Sequence, residues 1–186
     1  MEDDMLKSEV PQEITGLYKI IPLKILRRTP GVNFDCLEKD VLPAIDAIDR
    51  VIHTTGAVSP GPVGEIKRPW YMHPHQADNL MVLHGERHVE LYTENHGRIV
   101  TFDVTPDRIV IDGKLAHEGP CMLVWPCNVF HRIRSCEVKG SASINFAAHT
   151  AGFDIKTNFN IYDLNTETGE YRMIRAGHLD QPIAGE

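Results

Sequence analysis

The stretch Pro69 to Glu86, PWYMHPHQADNLMVLHGE, puts two histidines one residue apart, an acid just behind them, then an apolar run and a glycine. Side chains of an extended strand alternate between faces, so His73 and His75 leave one face together with Tyr71. Two imidazoles on one face can grip a divalent metal ion when at least one more ligand arrives from elsewhere. His131, closing the stretch GPCMLVWPCNVFH, is the candidate for that ligand. Tyr71 can line the same pocket and donate its hydroxyl, or serve as a packing aromatic.

The elements that position these residues read as strands. Short runs at about 69–75, 79–84, 86–92, 98–104, 108–112, 121–125, 129–135 and 141–148 are separated by turns rich in glycine or asparagine. That spacing predicts an all-β sandwich or closed barrel. GLYKIIPLKIL (16–26) adds a strand, and 159–175 reads as a further hairpin turning at NTETG. In between, Leu37, Val41, Leu42, Ile45, Ile48 and Ile52 recur at steps of three and four, which predicts a short helix over 43–52. Residues 54–68 are loop by composition, and 1–13 read as a mobile charged tail. Two units follow: residues 1–58 as tail, strand and helix packing on the barrel, and 59–186 as the barrel with its C-terminal hairpin.

Composition narrows the classes of function. A net charge of −7 with no basic stripe argues against nucleic acid as a partner. The acidic start MEDDMLKSEV does not fit a secretory signal, and no apolar run approaches the ~20 residues of a membrane span. A cytoplasmic location and reduced cysteines are the expectation. His117, Cys121, Cys127 and His131 could form a structural zinc site, but Cys121 opens an apolar strand and the gaps match no common zinc module.

The two histidine stretches resemble the paired motifs of the cupin superfamily, the RmlC-like jelly-roll barrels. The first family motif is a glycine, five residues, HxH, three or four residues, an acid, six residues and a glycine. Here His73-Pro74-His75 supplies the HxH and Gly85 the closing glycine, while Gly64 lies eight residues ahead. The second motif is a glycine, five residues, PxG, two residues, a histidine, three residues and an asparagine. Here it reads Gly119, six residues, Pro126-Cys127-Asn128, two residues, His131, with Ser135 in the last place. Asn128 replaces a turn glycine, and asparagine is the residue that best tolerates positive φ after glycine. The resemblance covers about residues 65–148.

That resemblance implies a divalent metal (iron, zinc, manganese or nickel) held in the barrel by His73, His75 and His131. The acidic position falls on Asp78 counting back from Gly85, and on Asn79 counting forward from His75. Ligand chemistry favours the Asp78 carboxylate. If neither binds, a three-histidine face remains.

Other residues have plainer readings. His53, His84, His88, His96, His117, His149 and His178 have no spaced partner. Gln76 directly follows the HxH and is a turn residue, with orienting a ligand or touching substrate as the alternative, and Trp70 and Trp125 pack. Arg132 and Arg134 point away from His131. Ser141, Ser143 and Asn145 face either a cavity or solvent.

The implied function is a metal-dependent enzyme acting on a small polar, carbohydrate-related metabolite, by isomerase, epimerase, lyase or dioxygenase chemistry. One alternative is a metal-free sugar-nucleotide epimerase-like barrel, with His75 as general base and a tyrosine as general acid; Lys67 and Arg68 are the nearest basic pair for its diphosphate. The other is a non-catalytic ligand-binding cupin. The two apolar faces of 79–84 predict a homodimer, through a sheet face or the N-terminal segment.

Overall fold

The computed structural model of the chain describes residues 10–42 and 44–182. Two antiparallel sheets face one another. One runs, in hydrogen-bonded order, Glu13–Ile14, Tyr18–Pro22, Cys121–Trp125, Gln76–Gly85, Ser141–His149 and Ala47–His53. The other runs Lys114–Glu118, Arg108–Ile111, Val100–Thr105, Arg87–Tyr92, Phe130–Ser135, Trp70–Met72, Ile161–Leu164 and Tyr171–Arg175, with Val58–Ser59 also pairing on Phe130–Ser135. Strand alternation is regular: Val100, Phe102 and Val104 are buried while Thr101, Asp103 and Thr105 are not. The inner faces meet in a core of Leu80, Val82, Val89, Leu91, Phe102, Leu123 and their neighbours. This is the jelly roll that the two motifs imply. Among the described residues no helix is long and apolar enough to cross a membrane.

Two elements differ from the sequence reading. The segment expected as a helix over 43–52 is a strand, Ala47–His53, paired with Ser141–Ala147 along its whole length; Pro43 lies outside the described residues. The apolar steps of three and four have another cause: Ile48 and Ile52 are on the outer face of an edge strand, while Val51 points in. The single helical turn of this region is Lys39–Val41. The charged tail expected over 1–13 lies outside the described residues up to position 9. Beyond it the chain is already tied down: the Tyr18 hydroxyl donates to the Pro11 carbonyl, and the Gln12 amide to that of Ala116.

Candidate functional site

His131 sits on Phe130–Ser135, opposite Leu91 on one side and Tyr71 on the other. Parity sends His131, Ile133 and Ser135 inward and Arg132 outward. Arg132 grips Glu90 through two nitrogens, at 2.7 and 2.9 Å, and its guanidinium lies 4.0 Å from the Trp70 ring centre. Arg68 shares the same carboxylate at 2.7 Å, so it is an ion-pair partner rather than a free phosphate contact. The expectation that Arg132 and Trp70 face away from the site therefore matches their placement.

The strand expected over 69–75 stops at Met72, and His73, Pro74 and His75 form the bend into Gln76–Gly85. Strand parity does not carry through a bend. His73 turns inward, with its carbonyl accepting from the Asn128 backbone N–H at 2.9 Å. Asn128 has φ +64°, the left-handed turn anticipated for it. His75 turns the other way: its Nδ1 is 3.3 Å from Thr150 Oγ1, and its ring sits over Gly152. Asp78 points inward with Leu80 and Val82, whereas Asn79 is buried on the opposite face, donating to the Phe146 carbonyl. Among the described residues, ligand atoms converge at one place, His73, Asp78 and His131, all within 4.8 Å of one another. His117, Cys121 and Cys127 form no such group with His131, and all four cysteines are free.

The hydrogen bonds define the protonation of the cluster. His73 Nδ1 faces the Asn158 carbonyl and His131 Nδ1 faces the Val129 carbonyl at 3.1 Å. A carbonyl only accepts, so each Nδ1 carries a hydrogen and each ring turns its Nε2 inward. Those Nε2 atoms are 3.7 Å (His73) and 4.0 Å (His131) from Asp78 Oδ2. Asp78 Oδ1 accepts from the Gln76 amide at 2.8 Å and the Asn145 amide at 2.7 Å. Oδ2 is buried and has no hydrogen-bond partner among the described residues. Burial, then the neighbouring His73, push the His131 imidazole down to about 4, so it is neutral at physiological pH. Three ligand atoms thus converge with no donor between them among the described residues, an arrangement that a divalent cation satisfies. Two histidines and one carboxylate are a donor set used by non-haem iron and by catalytic zinc sites.

Several supporting residues escape the sequence reading. Gln76 is not a plain turn residue: it is buried, holds Asp78 and accepts from the Asn158 amide at 3.0 Å. Asn145, one of the alternating polar set on 141–148, does face the cavity. Trp125 lines it too, its ring centre 5.3 Å from that of His131 and its indole N–H without a partner. Asn158 and Phe159 come from the C-terminal segment, with Phe159 edge-on to both Tyr71 and His73. Nothing in their local sequence marks them. Tyr71 lines the same cavity, 5.9 Å from the His131 ring; burial raises its pKa, so the phenol keeps its proton, and Ser59 hydrogen-bonds it. The enclosed space is about 160 Å³.

No protein-family model matches the sequence, and no curated protein matches it. Solved structures do. The sugar 3,4-ketoisomerase QdtA from Thermoanaerobacterium thermosaccharolyticum, in complex with TDP, superposes with a TM-score of 0.53 at 11% identity, covering 76% of this chain and 85% of that one. A dTDP sugar isomerase from Desulfovibrio desulfuricans G20 gives 0.53 at 15% identity, over 73% and 80%. The WlaRB TDP-quinovose 3,4-ketoisomerase from Campylobacter jejuni gives 0.50 at 15%, over 73% and 88%. With both motifs on facing strands of a jelly roll, the chain has the cupin fold.

Proposed function

We propose that this cupin is a metal-dependent enzyme acting on a small polar metabolite, with a divalent ion held by His73, Asp78 and His131. The observation that carries this reading is the buried Asp78 Oδ2, without a hydrogen-bond partner among the described residues and facing two imidazole Nε2 atoms. A bound ion would polarise a substrate carbonyl or hydroxyl, or, if iron, open O₂ chemistry. The protein residues have separate tasks. Asn158 and Val129 hold the imidazoles in the tautomer that offers Nε2, and Gln76 and Asn145 hold the carboxylate. Tyr71 keeps a phenolic proton beside the site, in position to donate to a developing oxyanion. Phe159 and Trp125 restrict water. Carbohydrate-related substrates come first because the structural neighbours are sugar-nucleotide isomerases.

The test is elemental analysis of untagged protein beside His73→Ala and His131→Ala. Near-stoichiometric metal in the parent, lost in both variants, supports the reading. A folded parent that takes up no metal after reconstitution overturns it.

The neighbours' substrates also favour a second reading, a metal-free sugar-nucleotide isomerase. In that case the base is a cavity histidine, His73 or His131, because His75 does not line the cavity. Turnover of a sugar nucleotide that persists in excess chelator would select it. Bound metal without turnover of any small polar compound would select a binding protein.

A further inference from the structure

The cavity holds a second chemical feature at its far end. Arg87 is 2% exposed, and its guanidinium lines the same cavity as His73, Asp78 and His131. Its Nε donates to Ser141 Oγ at 2.9 Å and one terminal nitrogen to the Val51 carbonyl at 3.3 Å. The other terminal nitrogen makes no hydrogen bond among the described residues, and no described carboxylate lies within ion-pair distance of the group. Arg68 and Arg132, by contrast, share Glu90. A buried guanidinium without an anion is costly, and proteins nearly always pair it. The groups around it are neutral: Ser141, Ser135 and His53, the last bonded to Ser135 at 2.9 Å. The positive end of the cavity is thus built from one cation and hydroxyls, while the two carboxylates that line it, Asp78 and Asp49, both accept from the Asn145 amide.

We propose that Arg87 is the anchor for a carboxylate on the substrate, so that the cavity takes a small acid whose acid end meets Arg87 and whose oxygenated end meets His73, Asp78 and His131. The second half of this statement rests on the functional reading above. Geometry sets the size. Arg87 stands opposite Ser135, four residues along the strand from His131, about 13 Å of backbone at ~3.3 Å per residue. The waist between is apolar, with Leu80, Ile133 and Val51. A space of about 160 Å³ is well below the roughly 300–1,000 Å³ of pockets that take drug-sized ligands, and far from a nucleotide-sugar. A carboxylate presents two coplanar oxygens to the guanidinium fork and brings one charge for one cation. A phosphomonoester would bring nearly two charges into a cavity that already contains Asp78.

The experiment is titration calorimetry on the full chain loaded with Mn²⁺. The probes are 4-oxopentanoate, 5-oxohexanoate and 6-oxoheptanoate, whose two ends are separated by a chain, their methyl esters and inorganic phosphate. At least one acid should bind while its ester does not. Arg87→Gln, which retains a donor for Ser141, should lower that affinity at least ~30-fold with metal content unchanged, and Arg87→Lys should lower it less. Acids and esters binding alike, binding unchanged in Arg87→Gln, tighter binding of phosphate, or no acid binding at all would each overturn the proposal. The acid–ester comparison on the parent protein needs no variant to fold. Failure of the metal reading is separately visible: the parent then takes up no Mn²⁺, while acid binding that depends on Arg87 persists.

Discussion

The Asn145 side-chain amide donates to Asp78 Oδ1 at 2.7 Å, and this bond turns the other carboxylate oxygen toward His73 and His131. Asn145 is itself fixed, since its carbonyl accepts the Asn79 backbone N–H at 2.8 Å. It is an orienting residue with no contact of its own to the reacting centre. Removing such a partner typically costs metal sites 10–100-fold in affinity. Asn145→Ala should therefore weaken metal binding by roughly that factor in a chelator competition while the melting curve stays cooperative. Unchanged affinity would show that Gln76 suffices to hold the carboxylate.

His75 provides the contrast. It has the motif spacing of a ligand but contacts Thr150 and Gly152. His75→Ala should retain metal content and turnover within about twofold, as surface-type substitutions usually do. Metal loss comparable to that of His131→Ala, measured by elemental analysis, would return His75 to the ligand set.

His53 makes stability depend on pH. Burial and then the Arg87 charge push its pKa down to about 4, from 6.5 for the free side chain. Below pH 6.5 the unfolded chain therefore binds a proton that the folded chain resists, so stability falls as pH drops from 6.5 toward 4. After discounting for partial exposure, the loss from this residue is about 2 kcal/mol. His53→Gln should flatten that part of a pH series of urea melts. An equally steep series in the variant would place the dependence elsewhere.

The exposed apolar surface of one copy leads us to expect a dimer. The hairpin Lys24–Thr29 and Val32–Cys36 pairs only with itself and exposes Ile25, Leu26, Val32 and Phe34, the last at 56%. The outer face of the smaller sheet exposes Ile48 at 67%, with Ile52 and Leu83. A twofold axis that seats each hairpin on the partner's sheet covers both patches twice over. Sedimentation should give a mass near twice 21.0 kDa, and Phe34→Glu combined with Ile48→Glu should halve it. A parent that sediments as one chain would overturn the dimer.

The strands and the turns were legible because their signals are local. The strands expected over 98–104 and 86–92 stand at Val100–Thr105 and Arg87–Tyr92, and Asn128 took the turn conformation its chemistry allows. Gly85 shows why the closing glycine of the first motif belongs there: a Cβ would lie 2.0 Å from the Gly140 carbonyl oxygen. His73, Asp78 and His131 were legible as residue types at family spacing. His75 was not placed correctly, because parity ends where Pro74 bends the chain. The strand Ala47–His53 escaped because an edge strand with apolar residues on its outer face imitates a helical stripe. Arg87 and Asn158 were invisible for a different reason. Their meaning depends on partners across the barrel, 54 and 85 residues away in sequence for Ser141 and His73.

The Asn158 carbonyl that receives the His73 proton belongs to the same segment as Phe159, whose ring lies against the histidine. Lifting this segment therefore does two things at once: it widens the way to the ion-binding atoms, and it releases the imidazole from the tautomer that serves them. Access to the cavity and the orientation of the His73 ring thus rest on the same short segment. A C-terminal segment without any motif supplies both a wall of the cavity and the partner that fixes His73.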